Sequence, residues 1–284
     1  MMVAPHNSCA TTDPLPFDIG AKEIHVWLIE SDDTWDAGTA ATYRNILSEE
    51  EHRKLAGFFF ERDRWQYLVA HAALRLLLSA YRPSVRPESW RFKAGTQGRP
   101  DIADEASGLT FNLSHTLGGI ALAFARGCRL GVDIERPGEE ADLDLAETIC
   151  AADEIRALGS LPQSSQAARF TRLWTLKEAY LKALGTGLSL PANCISFQLS
   201  GDDVAGHQIL APDAETDTAW SFYVGTTGQR CKFALAWSDD LRDQTRNVQL
   251  IEVPPNRILD AAHHRFAGLA QATLQTAPVS IVTV

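Results

Sequence analysis

The chain has 284 residues, 45% of them hydrophobic, which is enough apolar material to bury a core in one large domain or two smaller ones. Its formal net charge of -10 argues against nonspecific nucleic-acid binding, which needs a basic face, while leaving room for a local basic patch. The five cysteines (Cys9, Cys128, Cys150, Cys194, Cys231) are odd in number, scattered and without a Cys-x-x-Cys, so they read as reduced thiols of a cytoplasmic protein rather than a disulfide frame or a zinc site.

Residues 1–20 read as a flexible leader. Met1 to Pro16 is polar and lacks an apolar h-region, so no signal peptide is expected, and no later run approaches the roughly 20 apolar residues of a membrane span. Lys22 to Glu30 is rich in β-branched and aromatic residues and predicts a strand. Ser48 followed by Glu49, Glu50 and Glu51 is an N-cap with an acidic first turn, opening a helix that ends near Gly57. Arg62 to Tyr81 is a second helix. Trp65, Leu68, Val69, Ala72 and Leu76 keep a 3.6 period and further leucines widen the apolar face, so this helix should be central. Pro83 and Pro87 close it, a short strand spans Trp90 to Ala94, and Gly95 to Pro100 is a turn-rich loop.

Further strands are predicted at Thr110 to Leu113, Gly119 to Ala125 and Arg129 to Glu135. The last two should form a hairpin through Arg126-Gly127. Asp144 to Cys150 is a short helix, and Ala152-Asp153-Glu154 opens another, with Glu154 as a helix-start carboxylate favoured by the dipole. Ser164 to Gly185 is a long helix with a glycine break at its C-terminus. Strands follow at Ile195 to Leu199, Ala219 to Gly225, Cys231 to Trp237 and Val248 to Val253, then a late helix from Asn256 to Leu274.

Two of these segments combine into chemistry. Side chains alternate along a strand, so in Gly131-Val-Asp-Ile-Glu135 the carboxylates of Asp133 and Glu135 share one face. In Trp174-Thr-Leu-Lys-Glu-Ala-Tyr-Leu-Lys182, residues Trp174, Glu178 and Lys182 lie on one helical stripe. If the two pack together, three carboxylates and one ammonium converge. Such a cluster is costly to bury unless a hard divalent cation compensates it. Taken singly, an Asp-x-Glu at a strand end is a solvated edge, and a Glu–Lys pair at i, i+4 is a surface salt bridge worth about 0.3–0.5 kcal/mol. Ser114-His115, at the end of another strand, invites a hydrolase reading. Neighbours on a strand point to opposite faces, however, and rarely make a nucleophile–base pair. Trp174 reads as a core anchor, and Phe58-Phe59-Phe60 as core.

The ordered triplet Phe111-Asn-Leu-Ser-His115, Gly131-Val-Asp-Ile-Glu135 and Trp174-x-x-Lys-Glu-x-x-x-Lys182 resembles the 4′-phosphopantetheinyl transferases of the surfactin-synthetase-activating type, over about Leu47 to Phe197. The resemblance implies an α+β fold of two pseudo-twofold-related α/β halves with coenzyme A in the cleft between them. It also implies transfer of the 4′-phosphopantetheine arm to a serine hydroxyl of an apo acyl or peptidyl carrier protein, releasing 3′,5′-ADP. It places a magnesium ion, with manganese as the alternative, on Asp133, Glu135 and Glu178. Lys182 would meet a phosphate oxygen, and the base would be Glu178 or a metal-bound water polarised by Glu135. His115 corresponds to a 3′-phosphate contact, Ser114 to a hydroxyl donor to the nucleotide, and Lys54 and Arg62 to phosphate- and adenine-side contacts. Gly98-Arg99-Pro100 is similar to the family's Gly-Lys-Pro loop, with arginine replacing lysine and so changing the donor geometry. Glu51 stands where some relatives have a second lysine.

The implied division is 21–126 for an N-terminal half, 127–253 for a C-terminal half with the metal site, and 254–284 for a C-terminal helix and tail. Both halves in one chain imply a monomer. Two rivals remain: a metal-dependent phosphohydrolase using the Asp-x-Glu pair, and a non-catalytic coenzyme A or carrier-binding module. Carriers are acidic around the modified serine and so is this chain, so docking needs a local basic or apolar surface. Arg169, Arg172 and Lys177, with the apolar stretch Leu184 to Leu190, are the expected patch.

Overall fold

Two sheets back onto one another, and each carries its helices on its outer face. The computed structural model describes residues 18–30, 37–95, 100–104, 108–139, 142–185, 190–210, 219–228, 230–238, 246–254, 258 and 273–276. The larger sheet is built on β1 (Glu23–Glu30), flanked by β5 (Gly119–Arg126) and β11 (Asn247–Val253). β4 (Leu109–Thr116) and β12 (Thr273–Thr276) form its edges. All neighbours in it are antiparallel except β1 and β11. The smaller sheet is antiparallel, with β10 (Lys232–Ser238) between β6 (Arg129–Glu135) and β9 (Trp220–Thr226).

Strand alternation sets the layering. Ile24, Val26 and Leu28 of β1 meet Leu130, Val132 and Ile134 of β6 and Phe233, Leu235 and Trp237 of β10 in the core between the sheets. The opposite face of β1, with Trp27 and Ile29, packs under α1 (Ala37–Ile46) and α3 (Glu61–Tyr81). On the other side, Ala234 and Ala236 of β10 lie beneath α6 (Gln163–Leu184). This is an α+β architecture in four layers.

The expected hairpin of β5 and β6 does not form. Both edges of β5 are taken, by β1 and β4, so after Gly127 the chain crosses into the smaller sheet. β6 therefore presents a free edge towards β4, and the Asn112 side-chain carbonyl caps it by accepting the Val132 N–H at 2.8 Å. Four elements had no counterpart in the sequence reading: α1, β3 (Pro100–Ile102), β8 (Asp203–Ile209) and β12. β12 also overturns the end of the expected late helix, because Thr273 and Leu274 pair with β11 as strand; residues 255–257 and 259–272 lie outside the described residues. β11, assigned by sequence to the second half, is hydrogen-bonded to β1 in the first half's sheet. Of the expected leader, residues 1–17 lie outside the described residues, while Ile19 is buried in the core beneath α1 and α3.

α6 lies on β6 with almost nothing between them. A Cβ added at Gly131 would overlap the Ala179 carbonyl oxygen and the Ala183 nitrogen, both backbone atoms of α6. The helix ends where Gly185 turns left-handed at φ 73°. Because helix backbone cannot yield as a side-chain tip can, Gly131→Ala should push α6 off the sheet. The expected loss is about 1–3 kcal/mol, read as a lowered urea midpoint.

Candidate active site

The seam between β4 and β6 is the floor of a cleft of about 970 Å³. Its walls are α2 (Glu49–Gly57) and α3 on one side and α6 on the other. β4 delivers Asn112, Ser114 and His115, β6 delivers Asp133 and Glu135, and α6 delivers Trp174, Glu178 and Lys182. The close approach at Gly131 brings the α6 stripe over the acidic face of β6.

Asp133 is almost fully buried, and its Oδ1 accepts from Lys182 Nζ at 2.7 Å and from Ser114 Oγ at 2.8 Å. Lys182 also donates to Ser114 Oγ at 2.8 Å. Ser114 thus spends its only proton on Asp133, which is a different use from donation to a nucleotide. Asp133 Oδ2 is buried with no hydrogen-bond partner among the described residues. Glu135 accepts from Thr116 Oγ1 at 2.8 Å and from Trp174. Desolvation raises the Glu135 carboxyl, and Asp133 adds to the rise by repulsion. Glu178 is raised by desolvation, then by Asp133 and Glu135. Among the described residues no three such groups already stand at metal-ligand spacing. Lys182 takes one Asp133 oxygen. The donor set is still all hard oxygen, with one orphaned buried carboxylate oxygen, which fits a magnesium-type cation.

The other assigned residues divide. His115 lines the cleft with its side chain exposed there; crowding by the cleft walls, then the His71 and Lys182 charges, lower its imidazole. Lys54 lines the cleft and pairs with Glu50 at 3.1 Å, and Pro100 lines it too. Gly98 and Arg99 lie outside the described residues. Arg62 does not reach the cleft. It sits exposed on the first turn of α3, over the Phe60 ring. Phe59 and Phe60 are exposed rather than core, and only Phe58 packs inward, on Tyr67. Trp174 is half-buried: it packs against the core beneath α6, as expected, and also lines the cleft.

Sequence reasoning missed the α3 wall. Glu51 closes a capping box with Ser48, yet its carboxylate also takes Arg75 Nε at 2.8 Å and His71 Nδ1 at 3.2 Å. The signal was available in α3, where His71 and Arg75 form a polar i, i+4 pair on a helix otherwise apolar around its girth.

Of the expected docking patch on α6, Lys177 and Arg172 are not available to a partner, Arg169 is half-buried, and residues 186–189 of the apolar stretch lie outside the described residues. Lys177 is fully buried and paired with Glu154 at 2.8 Å, and it also donates to the Ala192 and Ile195 carbonyls. Arg172 is buried against Asp202. Glu154 is the expected helix-start carboxylate, in the first turn of the helix Ala152–Gly159, but it is buried and accepts from the backbone N–H groups of Ala151 at 2.7 Å and Phe197 at 2.8 Å. The i, i+1 neighbour of a cleft residue on a helix necessarily points away from the cleft, here into the core.

Comparison with known proteins agrees with this geometry. A family model described as the 4′-phosphopantetheinyl transferase superfamily matches residues 129–238, from β6 to β10. The chain is 31% identical over 221 residues to the 4′-phosphopantetheinyl transferase HetI of Nostoc sp., covering 76% of this chain and 88% of that protein. It is 31% identical over 197 residues to a phosphopantetheinyl transferase of Thraustochytrium sp., covering 65% and 67%. To the 4′-phosphopantetheinyl transferase Sfp of Bacillus subtilis it is 26% identical over 203 residues, covering 72% and 88%. The chain belongs to the 4′-phosphopantetheinyl transferase superfamily and is an enzyme of that class.

Two tests of the site's framework follow from its buried charges. Lys177→Met strands the Glu154 carboxylate and should cost about 3–5 kcal/mol in urea unfolding, part of it recovered by adding Glu154→Gln. For Glu51, burial raises the carboxyl, but the bonds from His71 and Ser48 and the Arg75 charge outweigh this and hold it down at about 2, against 4.5 when free. A depressed folded-state value means this stability is complete above pH 4.5 and lost as pH falls towards about 2. Glu51→Gln should therefore flatten the acid limb of the stability–pH curve by a figure of the order of 3 kcal/mol.

Proposed function

We propose that this chain transfers the 4′-phosphopantetheine arm of coenzyme A to a serine hydroxyl of an apo acyl or peptidyl carrier protein, releasing 3′,5′-ADP. The observation that carries the reading is the convergence of Asp133, Glu135, Glu178 and Lys182 on one cleft at the β4–β6 seam. The similarity to HetI and Sfp supports it. We read the cleft as the coenzyme A site between two pseudo-twofold-related halves, 21–126 and 127–253, with β11 and, from 254–284, β12 returning to the sheet of the first half. We further read the protein as a cytoplasmic monomer. No helix of the described residues is long and apolar enough to cross a membrane.

Asp133, Glu135 and Glu178 would hold a magnesium ion, or manganese. Bound there, the cation would neutralise charge on the pyrophosphate and on the departing nucleotide phosphate. Lys182 stands ready to meet a phosphate oxygen, with Asp133 and Ser114 fixing its ammonium. Glu178 makes no side-chain hydrogen bond among the described residues, and its raised carboxyl suits it to accept the serine proton. The serine oxygen then bonds to the pantetheine-bearing phosphorus, the bond from that phosphorus to the bridging oxygen breaks, and 3′,5′-ADP leaves with the electron pair. His115, Lys54 and the Gly98-Arg99-Pro100 loop are assigned to the nucleotide end. The structure gives no support to Arg62 in that role.

Incubation with coenzyme A, magnesium and apo carrier proteins should add the mass of one arm to the carrier. Glu178→Gln should lower that rate by roughly 10²–10⁴-fold with the fold retained by circular dichroism. Phosphate release or cleavage of coenzyme A without a carrier would instead establish the phosphohydrolase. Normal turnover by Asp133→Ala at limiting magnesium would remove the metal assignment.

A further inference from the structure

The seam between β4 and β6 has no backbone ladder, and side chains take the ladder's place. Among the described residues β4 pairs only with β5, and β6 only with β10. Asn112, Ser114 and Thr116 are alternate residues of β4 and so share a face. Each of them reaches β6. Asn112 Oδ1 accepts the Val132 N–H, Ser114 Oγ donates to Asp133 Oδ1 and Thr116 Oγ1 donates to Glu135 Oε2, all at 2.8 Å. Their neighbours across the hairpin, Ala123, Ala121 and Gly119 of β5, are small. The strand β6 therefore comes in close: a Cβ added at Gly119 would meet Ile134 Cδ1 at 2.9 Å.

The two carboxylates are held differently. Asp133 is bonded to an ammonium, Lys182, as well as to Ser114. Among the described residues Glu135 is held by two neutral donors, Thr116 from β4 and Trp174 from α6. A neutral donor fixes a carboxylate's direction and leaves its charge for a cation. Thr116 is a rigid mount for such a donor. It is the last residue of β4, and its backbone is set by pairing with Gly119 across the turn at Leu117-Gly118. Its β-branched side chain is stiff at χ1. Glu135 is the last residue of β6, on a longer side chain with several rotatable bonds. Ordering a side chain of that kind costs conformational entropy.

We propose that Thr116 is a positioning residue for the divalent-cation site: its hydroxyl holds the Glu135 carboxylate in place before a ligand arrives, so that cation binding need not order it. Glu135 lines the cleft and Thr116 does not. Thr116 thus acts through Glu135 and touches neither coenzyme A nor the transferred phosphorus. Asn112 serves the same end further along the strand, where its bond to Val132 sets the backbone of β6 one residue before Asp133. The inference rests on the reading of Asp133, Glu135 and Glu178 as cation ligands.

The test compares Thr116→Val, which keeps the shape and loses the hydroxyl, with Thr116→Ser, which keeps the hydroxyl. Manganese is titrated into each full chain with coenzyme A present. The free ion is followed by its electron paramagnetic resonance signal, against a protein-free blank of manganese and coenzyme A. Thr116→Val should bind manganese roughly tenfold more weakly than the parent, and Thr116→Ser within about threefold of it. In the transfer assay Thr116→Val should need roughly tenfold more magnesium for half its maximal rate, while that maximal rate stays near the parent's. Equal manganese affinity in Thr116→Val and the parent overturns the proposal and leaves the cation reading standing. Equal weakening in the Val and Ser variants assigns the effect to packing and overturns it too. So does a lowered maximal rate that saturating magnesium fails to restore, which would make Thr116 a folding residue. If the parent binds no manganese above the blank, the cation reading fails first and takes the proposal with it.

Discussion

Everything at the acidic end of the cleft depends on how closely α6 lies on β6. Two α-helix and β-strand backbones normally stand apart by the width of the side chains between them. Here Gly131 removes one such side chain, and the helix backbone occupies its place. The approach is what lets Lys182, on the last turn of α6, reach a carboxylate seated two residues further along the strand. The other side of the same helix is held from below. Lys177 and Glu154, both fully buried, tie α6 to the start of α5 (Ala152–Gly159) and to the strand β7 (Ile195–Ser200). A buried ion pair is a poor source of net stability, because desolvating two ions offsets most of their attraction. Its effect here is positional: it fixes the rotation of α6 about its axis, and so the direction in which Glu178, the very next residue, projects.

The two ends of the cleft differ in how their charges are compensated. At the α6 end, three carboxylates line the cleft, two of them raised by desolvation and by their acidic neighbours, and Lys182 compensates only in part. At the α3 end, Glu51 is neutralised by Arg75 and His71, and the donors Lys54, Tyr67 and His71 line the wall together with the carboxylates Glu49, Glu50 and Glu88.

Local patterning made most of the fold legible. Ser48-x-x-Glu51 gave the start of α2 to the residue, the apolar stripe of α3 marked it as central, and the alternation in β6 put Asp133 and Glu135 on one face. What stayed hidden was long-range. The turn at Gly127 reads as a hairpin turn, and only the occupation of both β5 edges sends β6 into a second sheet. β1 and β11 are joined by parallel pairing across more than 200 residues, which no local period encodes. α1 was missed because its apolar positions are few and weakly periodic.

The site divides the same way. Motif residues were legible because their chemistry and spacing are local: Glu178 and Lys182 one turn apart, Asp133 and Glu135 two residues apart. Lys177 was misassigned for the opposite reason. A lysine on a polar-looking helix face reads as solvent-exposed, and its partner Glu154 lies on another helix. Tyr67, His71 and Glu51 could not be joined by spacing either, since Glu51 belongs to α2 and the others to α3. Their relation is a property of the packed interface between the two helices, where a capping carboxylate turned inward finds an arginine and a histidine one turn apart. A helix cap that would ordinarily face water has been recruited as the fixed end of a hydrogen-bond chain. The histidine at the end of that chain stacks on Tyr67, whose hydroxyl has no hydrogen-bond partner among the described residues.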